Sequence, residues 1–96
     1  MIGEGVLGYG VVGVNTRVRR TILSGIAQSN RARLAAVCSR DQAKARAMTA
    51  EFGGTPYTAL PDLLADPSVD VVFICTPHGL HRPMSIDALR AGKMVI

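Results

Sequence analysis

Gly8-Tyr9-Gly10-Val11-Val12-Gly13 is the stretch on which the fold turns. A Gly-x-Gly-x-x-Gly spacing carries little information by itself. It gains meaning when it follows a strand and opens a helix. Here apolar Val6-Leu7 leads into it, which predicts a first strand beginning near Gly3 or Glu4. After it, Val14, Val18, Ile22 and Ile26 recur every fourth residue, the signature of one buried helix face running to about Gln28–Asn30. In that setting each glycine has a task. Gly8 permits the tight turn, Gly10 lets the backbone approach a pyrophosphate, and Gly13 lets helix and strand pack closely. The N–H groups of the first helical turn and the helix dipole then face the phosphates. A plain glycine-rich connection is the alternative, but it does not explain three glycines at this spacing. The expected dinucleotide-binding residues here are Gly8, Tyr9, Gly10, Val11, Val12 and Gly13.

Working outward, the chain alternates strand and helix. Arg33–Cys38 reads as a second strand. Asp41 is placed to cap a helix over Gln42–Phe52, with Ala43, Ala47, Met48 and Phe52 as its apolar side and Gly53-Gly54 as its stop. Thr55-Pro56-Tyr57 is a short extended piece. Thr58 can cap a brief helix through Leu60, Leu63 and Leu64, which Asp66-Pro67 ends. Val69–Cys75 is a near-continuous β-branched run, as expected of a strand covered on both faces. Thr76 to His81 reads as a loop, and Pro83 suits the first turn of a helix that Gly92 closes. Lys93–Ile96 opens another apolar strand.

The alternation predicts an α/β fold: a doubly wound parallel sheet of Rossmann type, strand order 3-2-1-4-5. That order sets the glycine turn beside the Thr76 loop at the topological switch point, where such sheets bind ligands.

Ser39-Arg40 follows the second strand. An NAD-preferring site usually carries Asp or Glu there for the ribose hydroxyls. A hydroxyl and a guanidinium suit the 2′-phosphate of NADP instead, so NADP is favoured over NAD. Asp41 comes two residues late for the acidic role and is better used as a cap. A solvated loop arginine is the plainer reading of Arg40. Thr76, Pro77, His78 and His81 are expected to line the nicotinamide half of the cleft, although His81 can equally cap the following helix. Two histidines three apart, without a third ligand, make no metal site.

Composition narrows the class. With 96 residues, 48% of them hydrophobic and 19% charged, the chain is at most one globular domain. No internal repeat or low-complexity segment divides it. The formal charge is +4, placed unevenly: residues 1–40 hold six arginines against Glu4 alone. These arginines are spread over several predicted elements with no interleaved aromatics, so a nucleic-acid partner is not expected. The Val6–Val14 run is too short and glycine-broken to span a membrane, and no basic residue precedes Arg17, so a cytoplasmic protein is expected. Cys38 and Cys75 are expected to be small buried hydrophobes rather than disulfide partners or metal ligands.

Several stretches resemble one family. The glycine turn, Cys38-Ser39-Arg40-Asp41, Leu63 to Val72, Thr76-Pro77-x-x-x-His81 and Ala88-Leu89-x-Ala91-Gly92-Lys93-x-Val95 occur in this order. Together they resemble the amino-terminal domain of the Gfo/Idh/MocA oxidoreductases (glucose-fructose oxidoreductase, inositol dehydrogenase and relatives). The resemblance covers nearly the whole chain. It implies hydride transfer between NAD(P) and a hydroxyl carbon of a sugar, cyclitol or related polyol. It also implies that Thr76, Pro77, His78 and His81 lie along the ribose and nicotinamide; His78 stands where asparagine is commonest.

On the same basis residues 1–96 are expected to be a partial NAD(P)-binding domain of a longer, homo-oligomeric enzyme. A sixth strand and a carboxy-terminal substrate domain are then missing, and the family's Glu-Lys-Pro motif lies past Ile96. No catalytic residue is assigned within this chain. A non-catalytic dinucleotide sensor, or another Rossmann enzyme of homoserine dehydrogenase or dihydrodipicolinate reductase type, are the alternatives.

Overall fold

The structure, a computed structural model, describes residues 6–13, 18–75 and 78–96, with side chains at 18–20 and 78–81 left out of the description. The strands are β1 (Leu7–Val12), β2 (Ala32–Cys38), β3 (Thr55–Tyr57), β4 (Val71–Ile74) and β5 (Met94–Val95). Between β1 and β2, Val18–Leu23 is wound as a π-helix and continues into α1 (Ser24–Gln28). The other helices are α2 (Gln42–Phe52), α3 (Leu60–Leu64) and α4 (His78–Arg90). The strands form one parallel sheet in the order β3-β2-β1-β4-β5, as the alternation predicts.

The sheet buries a core on each face. On one, Leu63 of α3 and Ala88 of α4 pack with Val12, Ala36, Val72 and Ile74. On the other, Leu23 and Ile26 join Ala45 of α2 against Val11, Leu34 and Val37. The buried set is almost wholly aliphatic, which suits helices packed on both faces of a parallel sheet. Beside β1, Tyr9 is level with Leu34 but Gly10 is level with Ala36. β2 therefore carries one extra residue, a bulge, and Ala35 and Ala36 enter the same core.

Helix α2 has the predicted bounds. The Asp41 carboxylate accepts from the backbone N–H groups of Ala43 (3.0 Å) and Lys44 (3.3 Å), and Gly53 ends the helix at φ 89°. Its buried side differs from expectation. Ala45, Met48 and Phe52 face the core, while Ala43 and Ala47 are exposed. In the first helical segment Leu23 is fully buried, a position the fourfold spacing passes over. A π-helix has more residues per turn than an α-helix, and that shifts the buried stripe.

Thr58 does not cap α3. Ala59 occupies the cap position without a side-chain bond, and Pro61 sits in the first turn, where a missing N–H costs little. Helix α4 starts at His78, so Pro83 lies inside it rather than in its first turn. The segment expected as a loop is thus partly helical.

Candidate functional site

The carboxyl ends of β1, β2 and β4 meet at one edge of the sheet. β1 is flanked by β2 on one side and β4 on the other, and the helices that follow β1 and β4 lie on opposite faces. This is the switch point of the fold, where a crevice opens outside the strand ends.

Gly13 stands at the end of β1 with φ 96°, a backbone conformation that favours glycine, and its N–H donates to the Cys38 carbonyl (2.9 Å). On the other side, the Cys75 N–H donates to the Val12 carbonyl (2.8 Å). Ser39 and Arg40 leave β2 at the same edge. The Ser39 N–H donates to the Tyr57 carbonyl (3.0 Å), and its hydroxyl oxygen accepts from the Asp41 N–H (3.2 Å). Arg40 is exposed between them. Asp41 spends its carboxylate on α2, as its position predicts. The backbone of His78 and His81 lies in the first turn of α4; Thr76 and Pro77 fall outside the described residues.

The glycine motif is placed differently from its reading. The strand does not stop before Gly8 but continues through Val12, so Gly8, Tyr9, Gly10, Val11 and Val12 are strand residues. Val11 and Val12 are 0% and 2% exposed. Gly8 and Gly10 serve close packing inside the sheet. A Cβ on Gly8 would overlap the Ser68 carbonyl oxygen, and one on Gly10 would come within 3.0 Å of both the Leu63 and Val69 side chains. The Gly8 N–H donates to the Asp70 carboxylate (2.8 Å), whose own backbone N–H donates back to the Gly8 carbonyl (2.7 Å). The β2 side of the crevice offers the Ser39 hydroxyl and the Arg40 guanidinium. On the β1 side, Gly13 is the motif residue among the described residues that stands at it.

Both cysteines are free thiols beside the end of β1. Burial, and then the charge of Asp62, push the Cys38 thiol up; burial pushes Cys75 up to about 11. Neither is poised to be a thiolate at neutral pH.

A second polar cluster escapes the sequence reading: Tyr57, Asp66 and Ser68 lie close in the chain, and Lys93 joins them only in the fold. Asp66 accepts from the Tyr57 hydroxyl (2.8 Å), the Ser68 hydroxyl (2.6 Å) and the Ser68 N–H (2.8 Å). The Ser68 hydroxyl, above all, holds the Asp66 carboxyl below its usual range, and the bond to Asp66 raises Tyr57. Lys93 donates to the carbonyls of Asp66 (3.0 Å) and Val69 (2.7 Å), tying the approach to β5 onto the turn before β4. Among the described residues, no three His, Cys, Asp or Glu side chains converge as a metal site, and no helix is long and apolar enough to cross a membrane.

Residues 7–96 match the family model described as an oxidoreductase family with an NAD-binding Rossmann fold, Gfo/Idh/MocA. The chain belongs to this family. Inositol 2-dehydrogenase 1 of Saccharopolyspora erythraea is 37% identical over 94 residues, covering 96% of this chain and 26% of that protein. The dTDP-3,4-didehydro-2,6-dideoxy-alpha-D-glucose 3-reductase of Streptomyces violaceoruber is 39% identical over 90 residues, covering 94% of this chain and 26% of that protein. Among solved structures, KijD10, a 3-ketoreductase from Actinomadura kijaniata in complex with NADP, superposes with a TM-score of 0.90 at 33% identity, covering 95% of this chain and 29% of that one. As a Gfo/Idh/MocA member the chain thus spans about a quarter of the length of these relatives.

Proposed function

We propose that this chain forms the cofactor half of an oxidoreductase that moves hydride between NAD(P) and a hydroxyl carbon of a sugar, cyclitol or related polyol, with NADP the preferred cofactor. One observation carries the cofactor preference. Ser39-Arg40, rather than an acidic residue, leaves β2 at the switch point, and the nearby Asp41 is committed to capping α2. A bound dinucleotide supplies the hydride chemistry. The chain's own residues orient it. Arg40 and Ser39 meet the 2′-phosphate, Gly13 at the end of β1 approaches the pyrophosphate, and Thr76, Pro77, His78 and His81 line the ribose and nicotinamide. The NADP-bound KijD10 and the inositol dehydrogenase relative support the cofactor and substrate classes. The substrate pocket and the group that handles the hydroxyl proton are assigned to the parts of full-length relatives that this chain does not overlap.

Fluorescence titration with NADPH and NADH tests the reading. A charge-assisted contact contributes about 1.5–3 kcal/mol, so Arg40→Ala is expected to weaken NADPH binding about 10- to 150-fold and leave NADH unchanged. Equal loss for both cofactors, or no loss, overturns the NADP preference. Absence of binding to either by the folded protein overturns the cofactor assignment.

A further inference from the structure

The strand β3 has three residues, stands at the edge of the sheet and pairs with β2 alone. Thr55 and Pro56 are exposed, and Pro56 has no N–H to give to a ladder. Tyr57 is the β3 residue whose side chain is partly buried, packed against the core that holds Leu63 and Val72. An edge strand this short and this little buried belongs to the parts of a fold that open most easily. Its last carbonyl nevertheless has a task. The Tyr57 carbonyl accepts the Ser39 N–H at 3.0 Å, and so fixes the backbone where Ser39 and Arg40 leave β2.

The side chain of Tyr57 supplies what the strand lacks. Its hydroxyl donates to Asp66 Oδ2 at 2.8 Å, and a carboxylate acceptor makes this a stronger bond than a neutral one. The other oxygen, Oδ1, accepts from the Ser68 N–H (2.8 Å) and the Ser68 hydroxyl (2.6 Å). Lys93 donates to the carbonyls of Asp66 (3.0 Å) and Val69 (2.7 Å). The acceptor is thus itself held, by the turn before β4 and by the approach to β5. The Tyr57–Asp66 bond joins residues nine apart and closes the excursion through α3. Tyr57 is gripped at both ends, by Asp66 at its hydroxyl and by Ser39 at its carbonyl.

We propose that Tyr57 is a positioning residue for cofactor choice: its bond to Asp66 holds the Ser39-Arg40 turn where it meets the 2′-phosphate. Tyr57 acts through the backbone of Ser39 and touches no ligand itself. Once the bond is removed, the same hydroxyl and guanidinium are present, but NADPH must order the turn as it binds. NADH does not use these two side chains and carries no such cost. The role toward the 2′-phosphate rests on the cofactor reading above; the clamp on Ser39 does not.

Tyr57→Phe keeps the ring and removes the bond. Hydrogen exchange read by NMR on the cofactor-free chain is expected to show the Ser39 amide exchanging about tenfold faster, with Val37 in the middle of β2 unchanged. Asp66→Ala, which removes the acceptor instead of the donor, is expected to speed Ser39 to the same extent. Protection of Ser39 retained in either variant overturns the clamp. Unfolding of both variants also overturns it, since the bond would then be a requirement of the fold rather than a local hold. In fluorescence titration, Tyr57→Phe is expected to weaken NADPH binding about three- to tenfold and leave NADH unchanged. Added to Arg40→Ala, it is expected to cost NADPH less than about twofold more, because the group being positioned is gone. Equal loss for both cofactors, or the full loss repeated in the Arg40→Ala background, overturns the positioning role. If Arg40→Ala alone leaves NADPH binding unchanged, the cofactor reading fails, and Ser39 exchange still decides the clamp.

Discussion

Asp41→Ala separates the two jobs that an acidic residue beside the ribose end of β2 can do. In the structure its carboxylate accepts from Ala43 N–H at 3.0 Å and Lys44 N–H at 3.3 Å, so removing it orphans donors of the first turn of α2. One of the two bonds is long and the site is exposed, which places the cost near the middle of the range for a lost cap, about 1 kcal/mol. For a chain of this size that corresponds to a fall in Tm of about 4–8 °C. Asp41→Ser keeps an acceptor and is expected to recover most of the loss, though not the part due to charge at the helix N-terminus. Thermal unfolding of the two variants reads this directly. NADPH titration of the same samples is expected to show no loss of affinity, because the carboxylate faces the helix rather than the ribose. An unchanged Tm in Asp41→Ala, together with weakened cofactor binding that Asp41→Ser does not restore, would refute the assignment of Asp41 as a cap.

Two further outcomes follow from the core and from the thiols. Leu63 is fully buried and packs over Gly10 and Val69, so Leu63→Ala is expected to cost about 2–5 kcal/mol, measured by urea denaturation with the slope of the transition unchanged. Cys75 titrates at about 11 because burial disfavours its thiolate, so its alkylation by iodoacetamide should be slow at neutral pH and accelerate toward pH 11. The sign for stability follows. The raised thiol contributes fully below the unfolded value, near 9, and its contribution is lost as pH rises from there through about 11. Rapid alkylation of folded protein at neutral pH would contradict the burial.

The order of the sheet was legible because strand and helix signals alternate cleanly and right-handed crossovers leave few arrangements. Helix α2 was legible to the residue because both ends carry strong local chemistry, Asp41 at one and Gly53 at the other. Ser39 and Arg40 could be placed since they follow a well-marked strand. The end of β1 could not be read in the same way. Glycine signals a turn in sequence, yet it is also what a strand needs where another backbone crosses closely, as Ser68 does over Gly8. Leu23 was missed because the π-winding moves the buried stripe, whereas Ala45 lies on ordinary α-helical spacing with Met48 and Phe52 and was hidden by the neighbouring Ala43 and Ala47. The Asp66 cluster joins Tyr57, Ser68 and Lys93, and only the folded chain brings Lys93 to it.

The bulge in β2 sets a distance as well as a packing arrangement. Because the ladder passes over Ala35, every residue after it is drawn back by one step relative to β1. One step of a parallel strand is about 3.3 Å. Without it, Ser39 and Arg40 would stand that much farther out from the end of β1. The bulge thus tunes the reach of the arginine: straightening it with Ala35 kept in the ladder would lengthen the span between the ends of β1 and β2, whereas deleting Ala35 would leave the later register as it is.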